Sequence, residues 1–178
     1  IYAENVLDIE KPRVALLNNG TESHKGTPLY KDAYALLAED EAINFVGNIE
    51  GKAVPFGECD VLVCDGFTGN VMLKSLEGTA KFLLKELKGV FLTNTKTKLA
   101  AALVKSDIDG LKKLLDPGEI GGTAFLGISK PVIKAHGNSD VLAFKNAVRQ
   151  AVHAAENNFA EDLEAALAQL KELEETEA

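Results

Sequence analysis

The chain has 178 residues, a formal net charge of −8, 46% apolar and 26% charged residues, which suits one soluble globular domain with its own core. No apolar run approaches the roughly 20 residues that cross a bilayer. The two cysteines, Cys59 and Cys64, are too few for a disulfide scaffold or a zinc cluster. An acidic tail after Glu156 speaks against nucleic acid as a partner.

In chain order, Arg13 to Asn18 reads as a buried strand bounded by Pro12 and by Asn19-Gly20. Pro28 opens a helix over Leu29 to Ala38, where a first turn tolerates proline. Ile43 to Val46 is a short strand closed by Gly47-Asn48, and Asp60 to Cys64 is the next. After it, Asp65 to Asn70 reads as a loop framed by Gly66 and Gly69, running into a helix from about Gly69 to Leu92. Residues 94–117 form an excursion of two short helices, the second capped by Ser106-Asp107. Thr123 to Ile128 and Val132 to Ala135 are strands. Ser139 or Asp140 then caps a helix carrying Ala143, Phe144, Ala147, Val148 and Ala151, and a last helix begins near Asn158. Strands alternating with helices predict a single α/β domain over 1–178, its sheet mostly parallel and flanked by helices.

Polar turns stand at the ends of the apolar strands: Asn18-Asn19-Gly20 through Lys25-Gly26, Gly47-Asn48, Asp65 to Asn70, and Lys134 to Ser139. Parallel strands would bring several of them to one sheet edge, lining a cleft with amides, two lysines and His136. Such groups suit phosphate binding and oxyanion stabilisation, and no metal is required. The unpaired N–H groups at a helix start would favour an anion there.

Each residue also has a structural reading. Asn18, Asn48 and Asn70 are asparagines of the kind that satisfy turn backbones. Lys25 is either a site cation or a solvated charge, and Asp65 either a ligand contact or a helix cap. Cys64, beside Asp65, is either a nucleophile or a small apolar strand residue. The excursion carries Leu99, Leu103, Ile108, Leu111, Leu114 and Leu115 at helical spacing, flanked by Lys96, Lys98, Lys105, Lys112 and Lys113. That pattern fits a membrane surface, an acidic partner, or a dimer or core face with solvated lysines.

In order, Val14-Ala15-Leu16-Leu17-Asn18-Asn19-Gly20 with Lys25-Gly26, Asn44 to Gly51, Asp60 to Asn70, Leu73-Lys74 with Glu77-Gly78, Ile133 to Ser139, and Phe144-Lys145-Asn146-Ala147 resemble the successive signatures of the acyl-ACP:phosphate acyltransferase family, PlsX. The resemblance implies a fold like isopropylmalate dehydrogenase and phosphotransacetylase, with 94–117 as a protruding helical pair. It implies transfer of a fatty acyl group from acyl carrier protein to inorganic phosphate, for phospholipid synthesis, by a homodimer with no cofactor. The family's amino-terminal Asp-Ala-Met-Gly-Gly-Asp signature does not occur, so the match is to the carboxyl-terminal half. A longer parent protein is therefore expected, cytoplasmic and in contact with the inner face of the membrane.

On this resemblance Lys25, Asn70 and His136 are the expected catalytic residues. Asn18, Gly20, Asn48, Asp65, Gly66, Gly69, Lys134 and Ser139 are expected around substrate and phosphate. Leu99, Leu103, Lys105 and Leu111 are expected on a membrane or partner surface. The competing readings are a phosphate acetyl- or butyryltransferase acting on coenzyme A thioesters, and a non-catalytic dimerisation or membrane-docking fragment.

Overall fold

The computed structural model describes residues 1–135, 137 and 139–177. The elements are α1 (Tyr2–Asn5), β1 (Arg13–Asn18), α2 (Pro28–Glu39), β2 (Asn44–Glu50), a 3-10 turn (Val54–Phe56) and β3 (Val61–Val63). They continue with α3 (Gly66–Leu92), α4 (Thr95–Leu103), α5 (Lys105–Leu114), β4 (Gly122–Phe125), β5 (Val132–Ala135), α6 (Val141–Glu156) and α7 (Phe159–Glu177). The chain divides into two compact units, residues 1–69 with 153–178, and residues 70–152.

In the first unit three parallel strands lie in the order β2-β1-β3. The apolar run Val14-Ala15-Leu16-Leu17 is buried throughout, as a central parallel strand requires when both faces are covered. Helix α2 packs on β1 and β2, with Tyr34 edge-on to Phe45 at 5.2 Å. Arg13 clips the amino-terminal edge, its guanidinium bidentate on Asp60 and bonded to the Gly57 carbonyl. That guanidinium, together with the Arg13 N–H, holds the Asp60 carboxyl down at about 2. A separate apolar cluster joins Val6, Ala154 and Phe159, with Tyr2 edge-on to Phe159.

Strand β2 corrects the expected boundary: it runs through Gly47 and Asn48 to Glu50. Val14 pairs with Phe45 but Ala15 pairs with Gly47, so Val46 is an extra residue. Gly47 absorbs this bulge with φ +95, a region open to glycine at little cost. The shift places Asn48 opposite Leu16 instead of Leu17. Side chains alternate between faces, so this one-residue slip turns Asn48 to the face that carries Asn18.

In the second unit β4 and β5 form an antiparallel pair. Ala143, Asn146 and Ala147 make the buried side of α6. Asn146 donates to the carbonyls of Gly118 and Glu119, and Gln150 to that of Ile120. Asp140, not Ser139, caps α6, accepting from the Ala143 N–H at 2.8 Å. The start of α4 is held by a reciprocal Asn94–Thr97 capping box. Helix α5 begins one residue before the Ser106-Asp107 cap expected for it and has no side-chain cap. The first strand of the pair is also shorter than expected, ending at Phe125 instead of Ile128.

Candidate functional site at the carboxyl ends of the parallel strands

The chain passes from β1 through α2 to β2 on one side, then to β3 on the other. The loops leaving β1 and β3 therefore flank a reversal of strand order, the place where open α/β sheets bind ligands.

The loop leaving β1 is built on two asparagines. Asn18 Nδ2 donates to the Lys25 carbonyl at 3.2 Å and to Asn48 Oδ1 at 3.1 Å, while its Oδ1 accepts the Asn19 N–H at 2.8 Å. Asn48, 9% exposed, donates to the Glu22 carbonyl at 2.8 Å. The Lys25 N–H closes the loop on that same carbonyl. At Gly26 φ is +89, and a Cβ there would lie 2.8 Å from Tyr30 Cβ and 2.9 Å from Asn18 Oδ1. Gly20 lets the Lys25 stem lie close, since a Cβ would stand 3.0 Å from Lys25 Cγ. The Glu22 carboxyl is held below its ordinary range, first by its own backbone N–H and, against desolvation, by Lys25 and His24. The amides thus fold the loop and hold the half-buried Lys25 in it.

On the other side, the expected loop from Asp65 to Asn70 is corrected: α3 already begins at Gly66. Asp65 Oδ1 accepts the N–H groups of Phe67 (2.9 Å) and Thr68 (2.8 Å). Oδ2 accepts the hydroxyls of Thr68 and Tyr30, each at 2.5 Å. Four donors hold this carboxyl well below the usual carboxylate range, the Thr68 hydroxyl first. Asp65 caps the start of α3 with these bonds. The Gly69 N–H donates to the Asp65 carbonyl within the helix. Gly69 is required by packing, since a Cβ would meet Cys64 Sγ at 2.7 Å. Burial, and then the Asp65 charge, push the Cys64 thiol up, which disfavours a nucleophilic thiolate and fits a small strand residue.

The structure therefore gathers Asn18, Gly20, Lys25, Asn48, Asp65, Gly66 and Gly69 at one end of one sheet. Asn70 follows in α3 with its side chain exposed. Lys134, exposed on β5, and Ser139 belong to the second unit. Ser139 Oγ is buried without a hydrogen-bond partner among the described residues, and His136 lies outside those residues. In the helical pair, Leu99 and Leu103 are exposed by 66% and 79%, and Leu111 by 42%. No group of three or more His, Cys, Asp or Glu fit to hold a metal occurs among the described residues. Nor, among them, is any helix long and apolar enough to cross a membrane.

Sequence reading missed Tyr30 and Thr68. Tyr30 looks like an ordinary inward residue of α2, and only the chain fold brings it to Asp65. The signal for Thr68 was present: an acid three residues before a threonine at a helix start is a capping pattern.

Fold and site together define an α/β protein with a polar, cation-bearing site at the reversal point of a parallel sheet. A family model described as "Fatty acid synthesis protein" matches residues 1–162, and the chain belongs to that family. Relatives include a phosphate acyltransferase of Oceanobacillus iheyensis, 49% identical over 175 residues, which are 98% of this chain and 52% of the relative. Another is a phosphate acyltransferase of Staphylococcus aureus, 47% identical over 163 residues, 92% of this chain and 50% of the relative. The chain thus spans about half the length of the curated relatives it matches.

Proposed function

We propose that this chain forms the carboxyl-terminal part of an acyltransferase that moves a fatty acyl group from acyl carrier protein to inorganic phosphate, giving acyl phosphate for phospholipid synthesis. The observation that carries the reading is the asparagine-built loop presenting Lys25 at the sheet reversal, in a chain nearly half identical to phosphate acyltransferases. Phosphate oxygen is itself a nucleophile and a thioester is an activated donor, so no covalent enzyme intermediate is needed. The protein holds the dianion beside the carbonyl and stabilises the oxyanion; one preorganised donor is typically worth about 3 kcal/mol to such a step.

In this reading Lys25 offsets phosphate charge. Asn18 and Asn48 act through the loop that carries it, and Asp65 acts by fixing the start of α3 beneath it. Asn70 is assigned the phosphate or the oxyanion, and His136, with Lys134 and Ser139 near it in sequence, orientation of a reactant or passage of a proton. Mixing the protein with phosphate and either acyl-ACP or acyl-CoA, and following thiol release, tests the assignment. Release with the carrier protein alone supports it, release with coenzyme A alone makes the protein a phosphate acyltransferase of the other kind, and release with neither removes catalysis by this chain.

We further propose that the enzyme is a cytoplasmic homodimer that touches the inner face of the membrane through α4 and α5. Support comes from the exposed leucines flanked by Lys96, Lys98, Lys105, Lys112 and Lys113, a combination suited to an anionic lipid surface.

A further inference from the structure

We propose that Tyr30 is a positioning residue: it ties the loop carrying Lys25 to the start of α3, so that the two sides of the reversal-point crevice keep one fixed spacing. What that spacing serves rests on the phosphate reading above; the tie itself rests on geometry. Tyr30 is the third residue of α2. Its Cβ lies directly beneath Gly26, where an added Cβ would come within 2.8 Å, so the end of the loop is seated on this residue. At the far end of the same side chain, the hydroxyl donates to Asp65 Oδ2 and stands 3.2 Å from Thr68 Oγ1. One half-buried side chain therefore touches the segment leaving β1 and the segment leaving β3.

The tie is more than a helix cap needs. Asp65 already caps α3 by accepting the Phe67 and Thr68 N–H groups and the Thr68 hydroxyl. The phenol is a fourth donor, from a different helix, adding nothing that the first turn of α3 lacks. Its acceptor is an ionised carboxylate, which makes the bond stronger than one between neutral groups. The effect is felt at the phenol too, whose ionisation is pushed up chiefly by the Asp65 bond. A tyrosine used only for its ring would gain as much from phenylalanine.

Tyr30→Phe removes the hydroxyl and keeps the ring, and amide exchange with inorganic phosphate titration reads the result. The expected outcome is a rise of about tenfold in exchange at the Lys25 and Asn19 amides, the loss of one hydrogen bond to a charged group. Amides of β1 keep their protection, and phosphate affinity falls by a similar factor. Thr68→Ser, which keeps the hydroxyl that touches both Asp65 and Tyr30, leaves loop exchange unchanged. Unaltered loop exchange in Tyr30→Phe overturns the tie. Faster exchange throughout, β1 included, also overturns it, because the hydroxyl then acts on global stability. Faster loop exchange with unchanged phosphate affinity overturns the positioning role. If the wild-type chain binds no phosphate, the phosphate reading of the site falls, and the loop exchange of Tyr30→Phe alone decides whether the tie exists.

Discussion

Replacing Gly26 with alanine, side by side with Gly57→Ala, measures how tightly the Lys25 loop is folded onto α2. Both glycines have positive φ, +89 and +68, but a Cβ at Gly57 meets nothing within 4 Å. Alanine at Gly57 is charged only for its left-handed backbone, about 1–2 kcal/mol. Alanine at Gly26 carries that strain and also drives a methyl into Tyr30 Cβ at 2.8 Å and Asn18 Oδ1 at 2.9 Å. Overpacking of this kind typically adds about 1–3 kcal/mol. The Asn18 amide, once displaced, also loosens its bonds to the Lys25 carbonyl and Asn48. The expected cost is therefore about 2–5 kcal/mol at Gly26 against about 1–2 at Gly57. Urea unfolding followed by tyrosine fluorescence suits the question: the chain has three tyrosines and no tryptophan, and Tyr2, Tyr30 and Tyr34 all lie in the first unit. Two variants that unfold within about 0.5 kcal/mol of each other, a difference typical of neutral surface changes, would refute the argument that the loop is packed against α2.

Lys25→Ala is expected to cut acyl-phosphate formation by at least tenfold, on the order of one lost charge-assisted contact; a rate within a factor of two of wild type removes Lys25 from the site. Asn18→Ala leaves Asn48 Oδ1 and the Lys25 carbonyl without their donor, and the first unit should lose about 1–3 kcal/mol in the same urea assay. Acid weakens the first unit in a defined window. Asp60 titrates at about 2 in place of 3.8, so its stabilisation is complete above the ordinary value and is lost as pH falls through about 2, with Asp65 acting in the same direction. Tyr30, pushed up from 10.0, has the opposite sign, since its contribution is complete below pH 10 and disappears at higher pH. Circular dichroism across both ranges checks the two signs, and Arg13→Gln should shift the acid limb upward. Leu99→Glu with Leu103→Glu should abolish co-sedimentation with anionic vesicles and leave helicity unchanged; persistent sedimentation counts against α4 as the contact.

The fold was largely legible because its cues are local. A run of four apolar residues bounded by Pro12 and Asn19-Gly20 admits little besides a buried strand, and Pro28 marks a helix start by its fixed φ. The gathering of Asn18, Lys25, Asn48 and Asp65 at one edge followed from reading the strands as parallel. The roles of the amides did not follow. Whether an asparagine faces a ligand or its own backbone depends on register, and register here turns on one bulge residue, Val46, which has no signature of its own. The first turn of α3 was misread for a related reason. Two glycines suggested an open loop, yet neither Gly66 nor Gly69 has a positive φ; one of them is small because a sulfur atom lies against it. Tyr30 was invisible because its partner is 35 residues away.

The bulge in β2 makes the parity of that segment matter as much as its chemistry. Removing Val46 would leave Phe45 opposite Val14, Gly47 opposite Ala15 and Asn48 opposite Leu16 in an unbroken ladder, whereas drawing Val46 into the ladder at full length would slip Asn48 to Leu17 and to the opposite side of the sheet. Asn18 would then keep the loop leaving β1 without a second anchor. Over these five positions, how the extra residue is housed counts for as much as what the residues are, and a substitution at Gly47 that straightened the strand without shortening it would strip the lysine-bearing loop of its second anchor.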